Sequence, residues 1–171
     1  MHLSAFKRSK APAKELDHMW DVFFDIHMKQ KQPPRIVSML LEEPKFLRLT
    51  VIAIECKGIE RIFEYLKPCK KLLALYVTGN KIITRDLKYL HHISSLRKLD
   101  LSHNGIHFLP EVSQIKSLQK LEFLLLHQNQ LVGWRQLENV TCLKNLRHLT
   151  LHGNPSSKIM GCRQFLIESM P

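Results

Sequence analysis

The sequence lacks the features that mark most enzymes. It has only six glycines among 171 residues, and they form no phosphate-binding loop of the type G-x-x-x-x-G-K-[ST]. It also contains no nucleophile elbow, no H-E-x-x-H motif and no candidate pair of catalytic carboxylates. We therefore expect a protein that is not an enzyme and that needs no cofactor.

Cysteine and long apolar runs are scarce as well. The four cysteines form neither a C-x-x-C motif nor a metal-ligand spacing, so neither a zinc site nor a disulfide framework is predicted. The first residues lack the apolar run of a signal peptide, and no segment approaches the ~20 apolar residues that span a bilayer. We expect an intracellular, cytoplasmic protein with reduced thiols, and a ciliary, cytoskeletal or nuclear location is the alternative. The basic, acid-free start leaves a transit peptide as a weaker alternative to a flexible tail.

What the chain does have is a regular series of asparagines. Asn80, Asn104, Asn129 and Asn154 are 24, 25 and 25 residues apart, and each closes the pattern L-x-x-L-x-L-x-x-N. A weaker copy without the asparagine begins at Leu49. A period in this range is typical of a solenoid, in which successive coils stack and bury one another's apolar side chains.

The spacing within each copy predicts the local structure. Leu-x-Leu has a period of two, so both leucines point to one face of a short strand. The asparagine follows where the chain bends, and its amide can both donate to and accept from backbone groups there. The predicted fold class is α/β: a solenoid of about five repeats with a parallel sheet on its concave face.

The N-terminal region is predicted to cap the first repeat. Residues 14–31 have apolar side chains at spacings of three and four, which indicates an amphipathic helix, and a second short helix is predicted over 35–43. We expect residues 1–13 to be a flexible basic segment and 14–45 to be a helical N-terminal cap.

The repeats are predicted to occupy residues 46–155, and 156–171 to begin a C-terminal cap. That end resembles the capping segment of intracellular leucine-rich repeat proteins, and the matching residues are Gly153, Asn154, Pro155, Arg163, Phe165, Leu166, Met170 and Pro171. Cys162 stands where that segment often has tyrosine, and the match stops before the pattern is complete. The resemblance implies a fragment truncated inside its cap; a shortened natural cap is the alternative.

The chain as a whole resembles the SDS22-like intracellular leucine-rich repeat proteins, which include ciliary members. The runs KLDLSHNGIHFLP and LRHLTLHGNP also resemble the leucine-rich repeat and IQ-motif proteins, although the IQ element itself is absent. The resemblance implies a non-enzymatic module for protein–protein interaction, a scaffold within a larger intracellular assembly.

The outward-facing positions of the strands form the candidate binding site. In the pattern L-x-x-L-x-L-x-x the x positions point away from the core, toward the concave surface. Large apolar side chains ringed by cations resemble the hot spots of protein interfaces and favour an acidic or amphipathic partner segment. The predicted contacts are Tyr76, Arg97, Lys98, Asp100, Phe123, Leu125, His127, Arg147 and His148.

The net charge of +11 is compatible with an acidic protein partner. Lysine and arginine are spread evenly along the chain, which argues against a dedicated nucleic-acid patch. Two alternatives remain: an RNA-associated subunit of a ribonucleoprotein, or a structural protein of cilia or microtubules. We expect a monomer within a hetero-complex, no membrane partner and no metal, although His127 and His152 could share one in principle.

Overall fold

The computed structural model describes residues 23–25, 48–55, 58–133 and 135–170, and of 23–25 and 135–136 only the backbone. Six parallel strands of three residues form one sheet, in which spatial order equals chain order. The strands are β1 (Phe23–Asp25), β2 (Val51–Ala53), β3 (Ala74–Tyr76), β4 (Lys98–Asp100), β5 (Phe123–Leu125) and β6 (His148–Thr150).

The register of the sheet follows the repeat. Ile52, Leu75, Leu99, Leu124 and Leu149 lie opposite one another on successive strands. The three middle leucines of this column are almost completely buried. The prediction that the leucine patterns pair as parallel neighbours in one sheet, with helical segments completing an α/β solenoid, is confirmed.

Short helical segments return the chain from one strand to the next. Among the described residues, none of the helices is long and apolar enough to cross a membrane. The α-helices are α1 (Ile62–Tyr65), α2 (Val112–Ile115) and α3 (Cys162–Ser169), and the 3₁₀-helices are Thr84–Ile93, Arg135–Cys142 and Pro155–Lys158. Their apolar side chains, such as Phe63, Leu87 and Leu137, complete the core behind the sheet.

The structure corrects the predicted N-terminal helix at one point. Residues 23–25 form strand β1, which pairs in parallel with β2 and places Phe24 opposite Ile52. A free strand edge presents unpaired N–H and C=O groups, and β1 supplies partners for those of β2. The rest of the predicted cap over 14–45 and the predicted flexible segment 1–13 lie outside the described residues.

The asparagines join each coil to the one before it. The Oδ1 atom of Asn104 accepts a hydrogen bond from the Ile82 backbone N–H at 3.0 Å. Its Nδ2 donates to the carbonyl oxygens of Val77 and Leu101, both at 3.0 Å. Asn80, Asn129 and Asn154 also accept from the previous coil and donate to both coils, so the predicted role of the asparagine amide is confirmed.

The residue before each asparagine adopts a left-handed backbone conformation. Its φ is 65° at Gly79, 54° at His103, 55° at Gln128 and 74° at Gly153. This conformation is unfavourable for a residue that has a Cβ atom. A Cβ atom at 153 would in addition lie 2.6 Å from Cδ of Gln128, so the end of that exposed side chain would have to move aside.

The last helix covers part of the final repeat. Cys162 and Leu166 of α3 are buried against the core. Leu149 and Leu151 of the last repeat are only half-buried. The interpretation of 156–171 as the beginning of a cap stays a prediction.

Candidate functional site

A lysine lies between two aromatic rings on the concave face. Lys98 Nζ is 5.0 Å from the ring centroid of Tyr76 and 5.7 Å from that of Phe123. The three side chains come from strands β3, β4 and β5, which are consecutive in the sheet. We call Tyr76, Lys98 and Phe123 the cation–aromatic cluster.

The apolar side chains of the candidate site point outward. Phe123 is 38% exposed, whereas the next residue, Leu124, is only 2% exposed. Leu125, on the same strand, is half-buried, and so is Tyr76. The repeat otherwise buries its leucines, so apolar side chains that face solvent on adjacent strands are unusual in it.

His148 extends this patch onto the last strand. Its ring centroid is 5.9 Å from that of Phe123, and the two rings are tilted by 40°. The pairing of β5 with β6 places these two residues directly opposite each other. Five predicted contact residues therefore lie on four adjacent strands of one surface: Tyr76, Lys98, Phe123, Leu125 and His148.

Asp100 is engaged within the protein. Its Oδ1 atom accepts from the Ser102 backbone N–H at 3.0 Å and from the Ser102 hydroxyl at 2.6 Å. Oγ of Ser102 lies 2.7 Å from Oγ1 of Thr78. This network fixes the carboxylate at the end of β4, a role that the sequence reasoning missed because Ser102 alone carries no recognisable motif.

A row of histidines follows the strands on the side where the chain leaves them. The ring centroid of His127 lies 5.4 Å from that of His103 and 4.6 Å from that of His152. Nδ1 of His127 is 3.0 Å from the Thr150 hydroxyl oxygen. Partial burial lowers the pKa of His127, and the neighbouring His152 lowers it further.

The histidine row has no metal-binding geometry. Among the described residues, no group of three histidine, cysteine or acidic side chains could hold a metal ion. Rings that stack face to face, as His127 and His152 do at an interplanar angle of 15°, do not direct their nitrogens to one point. His103 and His152 are exposed, and the row forms a polar border of the concave face.

The opposite side of the concave face, where the chain enters the strands, carries cations at equivalent positions of successive coils. The backbone N–H of Arg97 donates to the Leu73 carbonyl at 2.8 Å, that of Glu122 to Arg97 at 2.8 Å, and that of Arg147 to Glu122 at 2.9 Å. These residues precede their strands by one position. Nη1 of Arg97 also lies 3.8 Å from the Glu122 carboxylate, and both side chains are solvent-accessible.

The repeat gathers further cations at this edge. Residues 70–74, 94–98, 119–123 and 144–148 occupy equivalent positions, six to ten residues before each asparagine. Their only carboxylate is Glu122, and their lysines and arginines are solvent-accessible, with Lys98 half-buried. We call these side chains the basic edge: Lys70, Lys71, Arg97, Lys98, Lys120, Lys144 and Arg147.

The basic edge modifies the expectation that lysines and arginines spread evenly along the chain form no patch. Cations at intervals of about one repeat are evenly distributed along the chain but come together on adjacent coils. Lys70, Lys71, Lys120 and Lys144 are absent from the predicted site. The sequence could have revealed them, because each lies at nearly the same distance before the next asparagine of the series.

Comparisons with known proteins agree with this architecture. A family model described as leucine rich repeat matches residues 95–115. Leucine-rich repeat-containing protein 51 of Rattus norvegicus is 30% identical over 119 residues, which are 65% of this chain and 60% of the relative. The Bos taurus protein of the same name is 31% identical over 100 residues, 54% of this chain and 51% of the relative.

A second kind of relative is larger. Leucine-rich repeat and IQ domain-containing protein 3 of Rattus norvegicus is 34% identical over 110 residues, which are 63% of this chain but only 17% of the relative. The matched region spans roughly half the length of the relatives named leucine-rich repeat-containing protein 51.

Two solved structures share the fold. An internalin from Listeria monocytogenes superposes with a TM-score of 0.55 at 26% identity and covers 64% of this chain and 30% of its own. The crystal structure of a TLR13–ssRNA13 complex gives a TM-score of 0.55 at 27% identity, over 66% of this chain and 16% of that one. The asparagine ladder, the parallel sheet and these similarities together show that this chain has the leucine-rich repeat fold.

Proposed function

We propose that the concave face of this protein binds an acidic or amphipathic segment of another protein, and that the chain acts as a non-enzymatic interaction module. Leucine-rich repeat domains are in general protein-interaction modules. The observation that carries the finer proposal is the cation–aromatic cluster, in which Lys98 lies between Tyr76 and Phe123 on the open face.

The cluster combines two kinds of recognition. Phe123 and Leu125 offer apolar surface to a partner side chain, and buried aromatic anchors dominate the energetics of protein interfaces. Lys98 offers a charge whose position is restricted by two rings, each contributing roughly 0.5–1 kcal/mol at exposed sites. A partner carboxylate beside an apolar side chain would satisfy both.

The ion pair of Arg97 with Glu122 is weak enough for Arg97 to bind a partner instead. Arg97 and Glu122 are 3.8 Å apart, and their side chains are 57% and 29% exposed. A surface pair of this length is worth about 0–1 kcal/mol, so a partner carboxylate can compete for Arg97. Arg147, two strands further along, is also exposed.

The cluster favours protein over RNA, the main alternative. The TLR13 structure contains single-stranded RNA, so this fold can carry such a ligand in another protein. Bases bind proteins by stacking on open aromatic faces. Here Lys98 lies over one face of the Tyr76 ring and one face of the Phe123 ring, and its charge competes with a base for those two faces. A ciliary or microtubule-associated role, and a cytoplasmic location, remain predictions.

Affinity capture with matched variants tests the proposal. The doubly substituted protein Tyr76→Ala/Phe123→Ala should lose its captured protein partners while keeping its thermal stability nearly unchanged. Phe108→Ala is the control, because Phe108 is similarly exposed, at 43%, but lies outside the concave strands. Partners that persist with the double variant, or that disappear equally with Phe108→Ala, would contradict a site at the cluster.

A further inference from the structure

We infer that the basic edge sets the orientation of the bound segment: the partner's carboxylates lie over this edge, and its neutral side lies toward the histidine row. The inference rests on the proposed function, since it concerns the ligand of the same concave face. It adds that the ligand is an amphipathic segment with acidic residues along one side only.

The two borders of the concave face differ sharply in charge. The basic edge has seven lysines and arginines and one carboxylate, Glu122, in four equivalent windows of the repeat. The opposite border comprises residues 78–81, 102–105, 127–130 and 152–155, where Lys81 is the only lysine or arginine and no carboxylate occurs. A ligand that crosses the strands therefore meets positive charge on one flank and almost none on the other.

The two borders are far enough apart to act separately. From Lys71 to Lys81 the chain passes through the extended segment around β3. About six extended residues at roughly 3.3 Å each give a separation of about 20 Å. The Debye length is about 10 Å at 0.1 M salt, so charges on one border are largely screened from a ligand group over the other.

The width of the whole sheet sets the length of the ligand. Six strands about 4.8 Å apart make the sheet roughly 24 Å wide. A helix rises 1.5 Å per residue, so about 16 residues cross all the strands. Carboxylates three and four residues apart on such a helix share one side and can face the basic edge together.

Glu122 argues for a protein ligand rather than a polyanion. It lies in the middle of the edge, between the exposed Arg97 and Arg147. A continuous phosphate backbone would have to pass this carboxylate, whereas a peptide can place a neutral or basic residue opposite it. The apolar surface of Phe123 and Leu125 beside the edge also has no counterpart on a phosphate chain.

Charge reversal on either border provides the test. One variant carries Lys71→Glu, Lys120→Glu and Lys144→Glu on the basic edge. Its matched control carries Lys81→Glu, Arg85→Glu and Lys158→Glu, which are exposed and lie beyond the carboxyl ends of the strands. Each triple lowers the net charge of +11 by the same amount. The probe is a fluorescein-labelled helical peptide of about 16 residues with glutamate on one face and leucine on the other, and fluorescence anisotropy in 0.1 M salt measures its affinity.

We expect the basic-edge triple to bind this peptide about 10- to 100-fold more weakly, since three favourable charge contacts become repulsive. The control should change the affinity by less than about threefold, because its charges lie beyond the screening length. Circular dichroism of both variants verifies that they are folded. Equal weakening by the two triples would overturn the inference, because the net charge rather than the edge would then determine binding.

Further measurements separate this inference from the proposed function. If Tyr76→Ala/Phe123→Ala abolishes peptide binding and the basic-edge triple does not weaken it, the inference fails and the proposed function stands. If the triple weakens binding and the double variant does not, the edge stands and the cluster fails. A uridine oligonucleotide that binds more tightly than the peptide, with a steep loss of affinity in salt, would overturn the choice of a protein ligand.

Discussion

Replacing Asn104 with alanine should destabilise the solenoid by an amount that follows from its hydrogen bonds. Asn104 is 9% exposed, and its Oδ1 atom accepts the Ile82 backbone N–H at 3.0 Å. Its Nδ2 donates to carbonyl oxygens on its own coil and on the preceding one. Alanine removes the acceptor and the donors and fits the space without steric conflict.

The substitution costs the Val77 and Leu101 carbonyl groups less hydrogen bonding than it costs the Ile82 N–H group. The Val77 carbonyl also accepts from the side chain of Asn80, and the Leu101 carbonyl from that of Asn129. The Ile82 N–H would lose the side-chain acceptor that Asn104 provides. An unsatisfied buried donor costs about 1–3 kcal/mol, so we expect the free energy of unfolding of Asn104→Ala to fall by about 2 kcal/mol.

Thermal unfolding checks this value. For a chain of this size, about 1 kcal/mol shifts Tm by roughly 2–4 °C, so Asn104→Ala should lower Tm by about 4–8 °C. The control is Asn145→Ala, because Asn145 is exposed and makes one bond, to the Gln119 carbonyl at 2.7 Å. Its Tm should change by about 2 °C or less. A Tm for Asn104→Ala equal to that of the control would refute the reasoning.

Two further predictions concern the turns and pH. Gly153→Ala and Gly133→Ala should each destabilise by roughly 1–2 kcal/mol in chemical unfolding, because both glycines have φ of 74°; no loss in either variant would contradict this. The pKa of His127 in the folded protein is lowered by burial and by His152. As pH decreases, the unfolded state therefore takes up a proton at this histidine before the folded state does. Stability should therefore fall as pH drops below about 6.5. His152→Gln should raise the pKa of His127 in an NMR titration, and an unchanged value would contradict the coupling.

The sheet could be predicted from the sequence because one physical rule generates all of it. Leu75, Leu99 and Leu124 recur with the repeat period, and stacking equal coils places equal positions opposite one another. The same rule placed Phe123 on the solvent side of its strand. Prediction of this kind needs only the period and the alternation of a strand.

Strand β1 could not be predicted in the same way. The segment around residues 23–25 has apolar residues at Val22, Phe24 and Ile26, which fit a period of two, but it also fits helical spacing. The structure pairs residues 23–25 with β2, whose edge supplies the hydrogen-bonding partners. A neighbouring strand decides between the two periods, and the sequence of the segment alone does not contain that neighbour.

The charge distribution shows where the linear order of residues is misleading. Arg97 and Arg147 are fifty positions apart in the sequence, yet only one coil separates their backbones, through Glu122. In a globular domain with irregular topology, evenly spaced cations would scatter over the surface. In a solenoid, cations at the same position of each repeat must fall on one edge, because the translation from coil to coil preserves that position. Charge in a repeat protein should therefore be summed by position in the repeat, and this sum gives the present protein one basic border and one neutral border on the same concave face.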